Sequence, residues 1–257
     1  MCGISAVSGE NAVVKTLMVT LGQLERGRKG CGVAFTVDGN LFVRKAPVHP
    51  IEFFNNHLME FMRLRGYNVT CAIAHNRMPS AGKICYENTH PFMACDRSFA
   101  LVHNGHSANG SYRSMVLERY HILKGETDSE VITHMIEEES KTFGGVENVL
   151  LNSSLDYLSG AIFILTKDGV IYGTRTDFNP IYVGECDEMV VCGSTHEAVT
   201  CVASKLKRLT KLRLRQVVKI KNGRAQFLNE GENDRVHIAP FGNFYLGKYT
   251  DYFQDLF

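Results

Sequence analysis

Apolar and polar positions change period repeatedly along the chain, from two to 3.6 and back. Ile4-Ser5-Ala6-Val7 reads as a short strand at the very start. Val13, Val14, Leu17, Met18, Leu21 and Leu24 then follow helical spacing, which predicts a helix closing at Gly27. Residues 32–36 and 41–44 are apolar runs flanking Asp38-Gly39, a strong hairpin signal. Ile51, Phe54, Leu58, Phe61 and Met62 form a second helical stripe, and 70–75 and 99–103 are apolar strands that each run into a polar loop. Thr127-Asp128-Ser129-Glu130 has the spacing of a capping box and opens a helix carrying Val131, Ile132, Met135 and Ile136. Residues 161–166 and 170–174 flank Lys167-Asp168-Gly169, and 217–221 and 224–228 flank Asn222-Gly223, giving two further hairpins. Residues 181–184 and 189–193 are short strands, and Ser194-Thr195-His196-Glu197 caps a helix expected to reach about Leu206. Strands and helices mixed in this way, without repeats or Pro/Gly-rich linkers, predict one α+β domain whose sheets are covered by helices.

Composition narrows the class. The 257 residues are 44% hydrophobic and 21% charged, with 28 Lys and Arg against 27 Asp and Glu, a formal net charge of +1. Such a chain has enough apolar surface for a folded core and lacks the basic excess of a dedicated nucleic-acid binder. Its longest apolar run, 161–165, is strand-sized, far below the ~20 residues of a membrane span. No basic stretch followed by an apolar core opens the chain, so no secretory signal is read. The eight cysteines are too sparse for a disulfide scaffold and show no C-x-x-C spacing. A reducing, cytoplasmic setting is expected, with most cysteines acting as small buried hydrophobes. Cys85 and Cys95 with His90 between them fit metal-ligand spacings only loosely, and neither a metal site nor a cofactor is expected.

Met1-Cys2-Gly3-Ile4 is the most informative tetrapeptide. A small second residue permits removal of the initiator methionine, which would give Cys2 a free α-amine. Thiol and amine have ordinary pKa values of about 8.5 and 7.7–8.0, so the amine can take the thiol proton at neutral pH and later protonate a leaving amine. An isolated cysteine at position 2 would mean little; the strand that follows at once would hold this one rigidly, whereas most termini fray. Three loops would complete a site. Arg77, in Ala74-His75-Asn76-Arg77, could hold a carboxylate with two parallel N–H bonds. Asn104 and the backbone N–H of Gly105 suit an oxyanion hole, although Asn-Gly alone also reads as an ordinary turn. Asp128, in the first turn of a predicted helix, could pair with an ammonium or simply serve the helix dipole. A nucleophile, an anion clamp, oxyanion donors and a cation acceptor together suit a free α-amino acid with a side-chain amide, such as glutamine.

These pieces, in this order, resemble the class II glutamine amidotransferase domain of the N-terminal-nucleophile hydrolases. The matching segments are Met1-Cys2-Gly3-Ile4; Leu24-Glu25-Arg26-Gly27 with Gly30 and Gly32; Ala74-His75-Asn76-Arg77; Asn88-Thr89-His90-Pro91-Phe92; His103-Asn104-Gly105; Thr127-Asp128-Ser129-Glu130; and Gly173-Thr174-Arg175 before Pro180-Ile181-Tyr182-Val183-Gly184. Similar domains occur in glucosamine-6-phosphate synthase and amidophosphoribosyltransferase. The resemblance implies a four-layer αββα sandwich of two mainly antiparallel sheets. It implies that Cys2 is the nucleophile, that Arg26 supports the cysteine loop, that Asn104 and Gly105 form the oxyanion hole, that Arg77 with Ser80 binds the glutamine carboxylate, and that Asp128 and the Gly105 carbonyl receive its ammonium. Met78, Ser80-Ala81 and Lys29 depart from the family pattern and leave its branch open.

The domain is expected to span residues 2–235, followed by an aromatic tail, 236–257, that docks on a partner or on its own core. About thirty residues after the last hairpin are too few for a synthase domain, so a separate ammonia-accepting synthase protein is expected as partner. No nucleic-acid or membrane partner is expected. Two other readings remain: an N-terminal-cysteine hydrolase of another amide, and a lapsed domain kept for binding or regulation.

Overall fold

The computed structural model describes residues 1–64, 67, 69–80, 82–106, 111–119, 121–203 and 205–233. The aromatic tail expected at 236–257 lies outside the described residues, as does Ala81 beside Ser80. Two antiparallel sheets face each other. The first runs β11 (Arg208–Lys211), β9 (Tyr182–Glu185), β10 (Val190–Gly193), β1 (Gly3–Ser8), β4 (Cys71–Asn76), β2 (Cys31–Val37) and β3 (Asn40–Ala46). The second runs β13 (Arg224–Phe227), β12 (Val218–Lys221), β8 (Ile171–Arg175), β7 (Ser159–Thr166), β6 (Phe99–His106) and β5 (Phe92–Met93).

Alternating strand residues build three cores. Between the sheets, Ile4, Ala6, Ile73 and Cys192 of the first meet Val102, Phe163, Ile171 and Val218 of the second. On the outer face of the first sheet, Val7, Val33, Phe35 and Ala72 pack with side chains of α1 (Ala12–Leu21), α2 (Pro50–Arg63) and α6 (His196–Val202). On the outer face of the second, Leu101, Ile162 and Ile164 meet Ile132, Ile136, Val149 and Leu150 of α4 (Asp128–Phe143) and α5 (Val146–Asn152), with α3 (Ser111–Glu118) alongside α4. Each large side chain of this kind contributes on the order of 1.5–3 kcal/mol. The result is the expected αββα sandwich. Among the described residues no helix is long and apolar enough to cross a membrane.

Asp38-Gly39 and Asn222-Gly223 form their turns with positive φ at both positions, 48° and 74° in one and 50° and 70° in the other. Three expectations need correcting. The first helix ends at Leu21 and the chain passes through a short 3-10 turn at Leu24–Arg26 before Gly27, because Gln23 turns inward to bond Ile4 O and the Ser194 backbone N–H. Helix α6 stops at Val202 rather than near Leu206. The capping box before α4 is not made: Glu130 instead accepts from the backbone N–H groups of Lys124 and Gly125, at 2.9 and 2.8 Å, and Thr127 Oγ1 is buried without a partner among the described residues.

Candidate active site around Cys2

Strand β1 lies between β10 and β4 at the centre of its sheet, so the residue before it is held from several sides. Ser194 Oγ accepts from Ile4 N at 3.0 Å, and Arg26 Nε donates to Cys2 O at 2.9 Å. A charged hydrogen bond of this kind is worth about 1.5–3 kcal/mol. A Cβ on Gly3 would sit 2.1 Å from Oδ1 of Asn76, a side chain whose Nδ2 is held by Gln23 O and Gly27 O, so the position favours glycine. Cys2 Sγ lies against the loop that leaves β4. It accepts from Met78 N at 3.3 Å and faces Met78 O at 3.4 Å. Burial raises the thiol pKa, while the Met78 backbone, the N-terminal charge, Arg77 and Arg26 oppose that rise. The resting group is therefore a thiol that needs a base.

The second sheet supplies the other half. Cys2 N donates to Asn104 Oδ1 at 3.0 Å. Asn104 and Gly105 are not in a turn: β6 continues through them, pairing Asn104 with Ala161 and Gly105 with Gly160 on β7. A Cβ on Gly105 would lie 2.1 Å from Ser159 O, so only glycine fits. Asn104 Nδ2 donates to Asn179 Oδ1 at 2.9 Å, and Asn179 Nδ2 donates in turn to the Asp177 carboxylate at 2.9 and 3.1 Å. Asp177 also accepts from Ser159 Oγ at 3.2 Å, and its carbonyl accepts from the buried Arg175. The sequence pattern misses Asn179 and Asp177. The proximity of Asp177-Phe178-Asn179-Pro180 to Asn104 is a product of the fold.

Arg77 is buried at 3% exposure. Its Nη1 donates to Lys83 O at 2.8 Å and its Nη2 reaches Gly82 O at 3.5 Å, which ties the guanidinium to these two backbone carbonyls. Burial lowers its pKa, and Cys2 and Cys85 raise it. Ser80 is exposed on the same loop. Asp128 is the half-buried first residue of α4, and Ser129 Oγ lies 3.5 Å from its Oδ1. Ser129 Oγ also meets His103 Nδ1 at 2.9 Å, which ties the start of α4 to the residue before Asn104.

Beside this chain of contacts sits a buried set of imidazoles. His75 and His90 stack at 3.9 Å between ring centroids, and none of their four ring nitrogens has a hydrogen-bond partner among the described residues. Burial, with the charges of His103 and Arg77 behind it, pushes His75 down to about 3 and His90 well below the ordinary histidine range. Burial likewise lowers His103, against the pull of Asp128.

The arrangement joins a thiol, the nitrogen of the same residue, a carboxamide fixed by that nitrogen and a buried arginine. The same architecture occurs in solved structures. Glutamine phosphoribosylpyrophosphate amidotransferase from B. subtilis, complexed with ADP and GMP, superposes with a TM-score of 0.69 at 24% identity, over 88% of this chain and 48% of its own. The allosteric regulatory enzyme of purine biosynthesis superposes at 0.70 and 25%, with the same coverage. The fold is thus that of the N-terminal-nucleophile hydrolases. Among sequences, the glutamine–fructose-6-phosphate aminotransferase (isomerizing) of Methanococcus maripaludis is 32% identical over 194 residues, 72% of this chain and 31% of its own length. That of Helicobacter pylori is 27% identical over 99% of this chain and 42% of its own. The chain therefore spans under half the length of these curated relatives. The family model of class II glutamine amidotransferases matches residues 2–171, and the chain belongs to that family.

Proposed function

We propose that this chain hydrolyses the side-chain amide of glutamine through a thioester on Cys2 and supplies the ammonia to a synthase. The contact that carries the reading is the 3.0 Å bond from Cys2 N to Asn104 Oδ1, which sets nucleophile, amine and oxyanion donor in one place. Met1 is 75% exposed, and its removal would leave the Cys2 nitrogen as a free amine facing Asn104. That amine takes the Sγ proton, directly or through a water, and sulfur attacks the amide carbon. The developing oxyanion is received by the second Nδ2 hydrogen of Asn104 and the Gly105 N–H. The protonated amine gives its proton to the departing nitrogen, ammonia leaves, and water then cleaves the thioester to release glutamate.

Arg77 serves the substrate carboxylate, which would replace its long contact to Gly82 O, with Ser80 beside it; Asp128 and the Gly105 carbonyl take the ammonium. Arg26 keeps the Cys2 carbonyl in place. Residues 2–235 form this glutaminase unit in a reducing cytoplasm, and the synthase that consumes the ammonia is a separate protein. The test is a glutamine hydrolysis assay with and without a protein captured from the native source. Cys2→Ala should remove hydrolysis, and Asn104→Ala should lower kcat about 10²–10³-fold, the usual cost of one oxyanion donor. Full activity in Cys2→Ala overturns the reading.

A further inference from the structure

Four side chains that take no part in the Cys2 site meet beside the second sheet. Cys95 follows β5, His121 lies between α3 and α4, and His134 and Glu137 stand one turn apart on α4. Their donor atoms all lie within 4.8 Å of one another. Cys95 Sγ is 3.3 Å from His121 Nδ1 and 3.7 Å from His134 Nδ1, and His121 Nδ1 is 3.5 Å from Glu137 Oε2. A tetrahedral ion with ligand bonds of about 2.0–2.3 Å sets its donors roughly 3.3–3.7 Å apart, so these three edges already fit. Of the remaining three edges, His134 Nδ1 to Glu137 Oε2 is a 2.9 Å hydrogen bond that an ion would open by about half an ångström, and the other two lie within the 4.8 Å span of the cluster.

We propose that Cys95, His121, His134 and Glu137 form a structural zinc site. The donor set of one thiolate, two imidazoles and one carboxylate suits Zn²⁺, whereas Mg²⁺ and Ca²⁺ take oxygen ligands. Thiolate and carboxylate together balance the charge of the ion, and the thiol proton goes to solvent on binding. Four protein ligands close the coordination sphere, which makes the site structural.

The supporting contacts are in place. His121 Nε2 meets Glu138 Oε1 at 2.9 Å, the outer carboxylate that commonly fixes the ring of a metal-bound histidine. Glu137 is steadied by the backbone N–H groups of Cys95 and Asp96, at 3.0 and 3.3 Å. The His121, His134 and Glu137 side chains are each only 4% exposed, so the cluster is built into the fold. Zinc here would pin the segment after β5 and the approach to α4 onto the middle of that helix, whose first residue is Asp128.

The full chain, prepared without a metal-chelating column, is analysed for metal by elemental mass spectrometry, then stripped with a chelator and titrated with Zn²⁺ and Co²⁺. One zinc per chain is expected, with Co²⁺ giving visible bands of tetrahedral intensity and a near-ultraviolet thiolate charge-transfer band. Cys95→Ala, at an exposed position, should keep its circular dichroism and lose the charge-transfer band. Glu138→Gln should keep the stoichiometry and weaken affinity about 10–100-fold. Failure of the folded wild type to bind either metal stoichiometrically, or an unchanged cobalt spectrum in Cys95→Ala, overturns the proposal.

Discussion

Asn104 is oriented from both ends of its carboxamide. Its Oδ1 takes the Cys2 N–H and one Nδ2 hydrogen goes to Asn179. The orientation is determined by chemistry: as the Met1–Cys2 peptide nitrogen, Cys2 N can only donate, and Asn179 spends its own Nδ2 on the Asp177 carboxylate, so its Oδ1 must face Asn104. Under the proposed mechanism, Asn179 is a positioning residue that aims the remaining Nδ2 hydrogen at the oxyanion. Asn179→Ala should therefore lower kcat about 10- to 100-fold, the cost of an ångström-scale misplacement, with KM for glutamine close to wild type. Steady-state kinetics on the purified variant checks this. A rise in KM with unchanged kcat would show that Asn179 serves ground-state binding instead. At this scale the sequence suggested chemistry where several short segments combine, as Cys2 with the loops of Arg77, Asn104 and Asp128. It was silent where a role depends on a neighbour 75 positions away, as for Asn179.

The elements divide in the same way. The Asp38-Gly39 and Asn222-Gly223 hairpins are legible because their turn residues carry the required positive φ within two positions. Both central strands beside Cys2 are legible from apolar runs alone. The cap of α4 is not, because Glu130 has a competing use in holding the backbone of Lys124 and Gly125. The zinc cluster is hidden for a related reason: Cys95 stands 26 residues from His121 and 39 from His134, spacings that no short motif encodes. The missing cap has a measurable consequence. A working Thr cap lost to alanine costs about 0.5–2 kcal/mol. Thr127 makes no such bond and buries a hydroxyl that has no partner among the described residues, a group whose desolvation costs about 1–3 kcal/mol. Thr127→Val, which keeps the shape, should accordingly leave the urea midpoint unchanged or raise it. A loss above about 1 kcal/mol would mean that the hydroxyl caps the helix after all.

Across the whole molecule, the facing of two sheets leaves a polar seam beside the apolar core. His75 comes from the first sheet, His103 from the second, and His90 from the connection leading into β5, and all three are buried. The charged side chains that face the stacked pair are His103, Arg77 and Lys45, all basic, so their charges disfavour an imidazolium, and the His103 backbone, which alone pulls His75 the other way, is outweighed by burial. Folding thus holds His75 and His90 neutral, with pKa values depressed below the unfolded value of about 6.5. Above pH 6.5 neither state binds the proton and the pair makes no pH-dependent difference. As pH falls below it, the unfolded chain protonates and the native state does not, so stability declines toward the folded value, about 3 for His75. Between pH 7 and pH 5 this amounts to roughly 2 kcal/mol for His75, with His90 adding in the same direction. Carboxylates held down in the fold, such as Glu138 at about 2, lose their contribution only below that window. Urea unfolding at several pH values, on wild type and His90→Phe at equal metal loading, isolates the effect. Phe preserves the stack on His75 and the edge contact to Phe92, now 4.7 Å between centroids, while removing one titrating group. The variant should lose less stability than wild type from pH 7 to pH 5. Parallel pH dependences in the two proteins would show that His90 takes up its proton in the native state, and that the seam between the sheets admits enough solvent or counter-charge to hold it.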